Sequence, residues 1–338
     1  MRAVTVTGEI DEASMGITLA HEHLYVDSRF LCTDPSAIDV PIGQVDEEQL
    51  RAEPMRFLQN LDMRDERIAE AELSAFSAAG GKTLVDLTCH GLSRDPELLR
   101  RLSISTATNI IMGTGWYVEA AHPADLTQRG CDALAGEMVD EIVVGVGPNK
   151  VRAGVIGEIG TGDPFTDAER LVVAAAARAH LETGAPVNVH MAAGCRQVMA
   201  VLDVFADEGV RDLSRVIISH MDVVLDLPQQ REVISRGAIV EYDTFGHENY
   251  PDSRGFLMPT DDTRLQALAT LWEEGLIGRV LVSHDVGQRS LWLHYGGHGY
   301  TKLLADLPTR LASVGLPSRV WMDLLTVGPQ GVFGYLPT

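Results

Sequence analysis

Long apolar runs, paired cysteines and a surplus of basic residues are all missing from this 338-residue chain. No apolar stretch is long enough to span a bilayer, which excludes a helical membrane anchor. The first residues lack a basic segment followed by a long apolar one, so no secretory signal is expected. The four cysteines (Cys32, Cys89, Cys131 and Cys195) are scattered and form no CxxC pair. That pattern suits reduced thiols in a cytoplasmic protein. Lys and Arg number 27 against 48 Asp and Glu, a net charge of −21. Nucleic acid and anionic membrane surfaces both call for clustered cations, so neither is expected as a partner. No low-complexity segment is present. The composition, 45% hydrophobic and 22% charged, is that of a globular protein, and the length suits one large α/β barrel or two ordinary domains.

Read in order, the chain alternates short apolar strands with helices. Val4-Thr5-Val6 and the acidic turn after it predict a short N-terminal hairpin. Strands are expected at 16–21, 83–88, 109–113, 153–157, 186–189, 215–219, 238–242 and 279–283. Helical spacing is expected at 64–79, 95–105, 126–144, 166–182, 195–208, 228–236 and 262–275, with two closing helices at 299–314 and 317–326. Residues 25–55, with Pro35, Pro41 and Pro54, read as a long excursion. Eight strand–helix units imply right-handed crossovers and a parallel sheet covered by helices. In this length they favour a closed (β/α)8 TIM barrel over an open sheet, one domain over residues 1–338. The absence of a GxGxxG after the first strand counts against a dinucleotide fold.

The stretch Gly16-Ile17-Thr18-Leu19-Ala20-His21-Glu22-His23-Leu24 places two histidines at i, i+2. On a strand that spacing puts both rings on one face, about 7 Å apart at the Cα atoms. Imidazole is the commonest protein metal ligand. His21, His23, Glu158, His190, His220 and Asp285 all fall at or just beyond the C-terminal end of an expected strand. In this barrel that end carries the active site. His220 and Asp285 follow almost wholly apolar strands, where a charge must be paired or must ligate a metal. The mixed N/O set without thiolate suits Zn, Mn, Co or Fe rather than Ca or Mg. Six ligands exceed what one catalytic zinc with an open position needs; two divalent metal ions sharing one carboxylate fit the count. His90, His122, His180, His294 and His298 lack this placement and read as structural.

Six stretches carry a resemblance: GITLAHEHL (16–24), AGVIGEIGT (153–161), VNVHM (187–191), RVIISHMD (215–222), EYDTFG (241–246) and SHD (283–285). In this order the sequence resembles the phosphotriesterase-like family of the amidohydrolase superfamily. The resemblance implies a (β/α)8 barrel with a two-metal centre, most often zinc. It assigns His21, His23 and Asp285 to the more buried metal, and His190 and His220 to the more exposed one. Glu158 stands where many members carry a carboxylated lysine, as in the branch of the phosphotriesterase homology and resiniferatoxin-binding-related proteins. Members are often dimeric, so a homodimer is implied.

Two ions sharing a hydroxide bring the pKa of water near neutrality, and Asp285 beside it can take the proton. The expected reaction is therefore hydrolysis of a carboxylic ester, lactone or amide on a small-molecule substrate. Glu158 for lysine and Val223 after Asp222 argue against phosphotriester hydrolysis, which stays as the alternative beside a non-hydrolytic metal-dependent enzyme or an inactive metal-binding relative. Tyr117, after Trp116 at a strand end, matches in placement a tyrosine beside the substrate in lactonase-type relatives. Selectivity is expected from two loops. One holds Phe245, His247, Tyr250 and Arg254; the other holds Gln288, Arg289, Trp292 and Tyr295. Arg289 is a candidate for a bidentate contact to an anionic group.

Overall fold

The computed structural model describes residues 1–192, 194, 196–248 and 257–335. Strands β1 (Arg2–Thr5) and β2 (Gly8–Asp11) form the antiparallel hairpin. Eight strands follow: β3 (Thr18–Glu22), β4 (Thr83–Asp86), β5 (Asn109–Thr114), β6 (Val155–Thr161), β7 (Val187–Met191), β8 (Val216–Ile218), β9 (Ile239–Tyr242) and β10 (Val280–Val282). They pair in sequence order and in parallel, from β3 to β10. At the seam, the Asp285 N–H donates to the His21 carbonyl (3.2 Å) and the His21 N–H to Ser283 Oγ (3.0 Å), which closes the barrel.

Helices cover the outside, and their ends carry local signals. The helix Asp167–Thr183 starts with a capping box between Thr166 and Glu169 and stops at Gly184, whose φ of 69° is left-handed. The helix expected over 126–144 is two, Leu126–Arg129 and Cys131–Val143, because Gly130 at φ 78° breaks it. The excursion after β3 is one short helix, Glu47–Ala52, among tight turns, with a small core of Ile42, Leu50 and Phe57.

The barrel interior divides along its axis. Ala20, Val85, Ile111, Val155, Ile217, Ile239 and Leu281 fill the lower half, plugged by Ala3 from the hairpin and Phe333 from the last helix. Layers of branched side chains make that half solid. The candidate ligands His21, His23, Glu158, His190, His220 and Asp285 lie above it, at the C-terminal mouth.

Candidate metal centre

His21, on β3, and His23, just past its end, both reach the mouth, and the β3–β4 register shifts between Leu19 and Glu22 beside them. Glu158 lies inside β6, which runs on to Thr161 rather than ending at 158. The β6–β7 register slips between Ile156 and Ile159, with one extra residue on β6. This bulge turns Glu158 into the mouth, a common use of bulges next to active sites. His190 lies on β7. His220 and Asp285 sit just past β8 and β10 in left-handed backbone, φ 59° and 50°. The His220 N–H is held by Asp243 Oδ2 at 2.9 Å.

These six side chains converge. Glu158 Oε1 is 2.8 Å from His190 Nδ1, 3.0 Å from His220 Nε2 and 3.5 Å from His21 Nε2. Its Oε2 is 3.9 Å from His23 Nε2. Asp285 Oδ1 is 3.3 Å from His23 Nε2 and 3.7 Å from His21 Nε2. The ligand atoms of His21, His23 and Asp285 all lie within 4.8 Å of one another, as do those of Glu158, His190 and His220.

A further ring of partners fixes which nitrogens face the centre. His21 Nδ1 is 3.0 Å from Glu241 Oε2, and the same oxygen accepts from Asn188 Nδ2 (2.7 Å) and Ser219 Oγ (3.0 Å). His220 Nδ1 is 3.0 Å from Asp243 Oδ1, and His23 Nδ1 is 3.0 Å from Thr88 Oγ1. With the Nδ1 protons of His21 and His220 held by carboxylates, the lone pairs of their Nε2 atoms point inward. His21 Nε2 is buried without a hydrogen-bond partner among the described residues. A buried imidazole nitrogen aimed at two carboxylates without bonding either fits a divalent cation between them.

The electrostatics agree. Burial disfavours charge on every group here. At His21 burial is outweighed by Glu158 and Asp243, which hold its pKa well above an ordinary imidazole's. At His220 burial is likewise outweighed, first by Asp243. Burial prevails at His190 and lowers its pKa. Glu158 is kept well below the usual carboxylate range, because His190 and His21 overcome its burial. Asp285 is lowered too, with His23 and His21 outweighing burial. A cation entering this cluster displaces imidazole protons, so its binding is coupled to pH.

Above the centre opens a cavity of about 640 Å³. One wall is apolar, with Val26, Leu31, Met55, Leu61, Leu92 and Met258. Tyr117, His247, Val223 and Gln288 also face it. The Tyr117 hydroxyl lies 3.2 Å from His190 Nδ1, and burial pushes its pKa well above the ordinary phenol value, so it keeps its proton.

Trp116, Phe245 and Arg289 are placed elsewhere. Trp116 is buried, stacked on His90 with Arg129 5.3 Å from its ring. Phe245 is buried against Arg264. The Arg289 guanidinium donates to the Asp62 carbonyl. Trp292 is buried and donates to the Tyr300 hydroxyl, which donates to the His23 carbonyl at 2.6 Å. Tyr250 and Arg254 lie outside the described residues. Asp222 accepts from the Thr244 hydroxyl (2.8 Å) and from the fully buried Arg264 (2.8 Å). His90 bonds Glu141, whose two oxygens also take the Arg94 guanidinium. A cation already fills that cluster.

Sequence reasoning missed Glu22, Thr88, Glu241 and Asp243 as partners of the histidines. Glu241 on β9 and Asp243 just past its end repeat the i, i+2 spacing of His21 and His23. Two acids on one face of an apolar strand are a signal that could have been read.

The N-acetyltaurine hydrolase of Tetraodon nigroviridis is 34% identical over 335 residues, covering 96% of both chains. The resiniferatoxin-binding protein from Rhodobacter sphaeroides superposes with a TM-score of 0.94 at 34% identity, over 98% of this chain and 94% of that one. The phosphotriesterase homology protein from Escherichia coli, complexed with phosphate in its active site, gives a TM-score of 0.81 at 28% identity, over 95% of this chain and 99% of that one. The sequence profile of the Phosphotriesterase family matches residues 1–333, and the chain belongs to that family of hydrolases.

Proposed function

We propose that this chain is a two-metal hydrolase that cleaves an N-acyl amide, with lactones and carboxylic esters as related substrates. One observation carries the reading: two ligand groups, one of His21, His23 and Asp285 and one of Glu158, His190 and His220, meet at the floor of the cavity. The amide is favoured by the N-acetyltaurine hydrolase relative, 34% identical over 96% of this chain.

His21, His23 and Asp285 would hold one divalent ion, His190 and His220 a second, with Glu158 between them; Zn, Mn, Co and Fe all suit this donor set. Bound there, such ions supply a water ionised near neutral pH and polarise the oxygen of the scissile group. Asp285 accepts the proton of the attacking water as the new C–O bond forms. It then returns that proton to the amide nitrogen as the C–N bond breaks, leaving a carboxylate and an amine. Tyr117, protonated and facing the cavity, donates a hydrogen bond to the substrate oxygen. The apolar wall receives the rest of the acyl group and keeps water away.

The test is a substrate panel on metal-stripped protein before and after reconstitution with Zn2+ or Mn2+. It would include N-acetyltaurine, other N-acyl amides, lactones, aryl esters and paraoxon-type triesters. Metal-dependent turnover led by amides is expected. Triesters well ahead of every amide, lactone and ester would overturn the reading, as would full activity without metal.

A further inference from the structure

No ladder of paired backbone bonds joins β10 to β3 among the described residues. This seam is where the loop carrying Asp285 begins. The Glu22 side chain stands in the gap, fully buried. Its Oε1 accepts from Ser283 Oγ at 2.7 Å, His284 N at 3.0 Å and His284 Nδ1 at 2.8 Å; its Oε2 accepts from Val286 N at 2.9 Å.

Every one of these partners is a donor. His284 Nε2 accepts the Leu303 N–H at 3.0 Å, so the ring proton lies on Nδ1 and points to Glu22. The same geometry rules out His284 as a general base, since both its nitrogens are engaged away from the cavity. Glu22 therefore grips the residues on both sides of Asp285. Asp285 itself sits in left-handed backbone, which a non-glycine residue keeps only when its surroundings enforce it.

We infer that Glu22 is the positioning residue for Asp285, its carboxylate standing in for the missing ladder and fixing the loop that presents Asp285 to His21 and His23. The inference rests on the reading of Asp285 as ligand and proton acceptor. Glu22→Gln keeps size and shape. Its amide oxygen can serve the three donors on one side, but its NH2 then meets the Val286 N–H, donor against donor. The loop must move at the residue next to Asp285.

The experiment is a double-mutant cycle with Glu22→Gln and Asp285→Asn, read by chelator competition for Zn2+ alone and by steady-state turnover of the best panel substrate. Circular dichroism checks folding. Glu22→Gln is expected to fold, to lose about 10–100-fold in zinc affinity, and to lose a similar factor in kcat with KM nearly unchanged. Added to Asp285→Asn, it should cost less than about 3-fold more, because both act through one group. Ser283→Ala leaves the carboxylate but removes one of its donors together with the acceptor of the His21 N–H, and should show the same pattern at several-fold size. Wild-type zinc affinity and kcat in Glu22→Gln would overturn the inference. So would losses that multiply in the double variant. Should Glu22→Gln fail to fold, wild-type behaviour of Ser283→Ala does the same. Wild-type zinc affinity and turnover in Asp285→Asn alone would remove the Asp285 assignment and this inference with it, and the single variant tells that failure apart.

Discussion

Asp243→Asn is the sharpest perturbation of the centre, because it exchanges one atom of a buried side chain. Asp243 Oδ2 accepts the His220 backbone N–H at 2.9 Å, and Oδ1 lies 3.0 Å from His220 Nδ1. Its Oδ2 is also 3.2 Å from His21 Nδ1. An asparagine has one acceptor and one donor end. If its oxygen stays on His220 Nδ1, the NH2 opposes the His220 backbone N–H and leaves that buried donor unpaired. If it flips, the NH2 faces His220 Nδ1, which must give up its proton to Nε2, and the ligand lone pair is lost. Either outcome costs roughly 1–3 kcal/mol, which is about 5–140-fold in affinity at 1.4 kcal/mol per decade. Measured effects of changing a metal ligand's partner fall in the same range. The assay is competition of purified protein with a coloured chelator for Zn2+, alongside kcat on the best panel substrate. Zinc affinity and kcat within about twofold of wild type would refute the argument that Asp243 sets the His220 tautomer.

Glu158→Ala should lose metal and nearly all turnover, whereas Glu158→Asp should keep some metal; added bicarbonate should change nothing, and retention of two ions in Glu158→Ala would show that the carboxylate does not bridge. Asp285→Asn keeps a ligating oxygen but removes the basic site, so kcat should fall on the order of 10²–10⁴. The acid limb of kcat/KM should change with it, and near-normal kcat with metal bound would assign the proton to another group. His247 is buried, which pushes its pKa down to about 4, against about 6.5 for a free imidazole. Between those values the unfolded chain binds a proton that the folded chain refuses. The contribution of the neutral ring, at most roughly 3 kcal/mol, is complete above pH 6.5 and is lost as pH falls through 4. Urea unfolding of His247→Asn across that window should therefore show a flatter pH dependence than wild type; equal slopes would discount the buried ring as the cause.

Much of this molecule is legible in its sequence for local reasons. Short apolar strands such as Val216–Ile218 and Val280–Val282, helices closed by Gly80, Gly184 and Gly275, and the Thr166–Glu169 cap are written in neighbouring residues. Once eight such units alternate, barrel sterics place every strand end at one mouth, so His21, His23, Glu158, His190, His220 and Asp285 could be listed before any coordinates. The tertiary structure decided what depends on contacts between distant residues. Glu158, expected at a strand end, lies inside β6 and is turned to the mouth by a register slip against β7, which no feature of β6 alone announces. Arg289 binds the Asp62 carbonyl, 227 residues away, instead of facing the cavity. Glu22 finds His284 across 262 residues, and His21 finds Glu241 across 220. A side chain's type and period come from its own stretch of chain, but its hydrogen-bond partner is supplied by whichever strand the closed barrel brings alongside it.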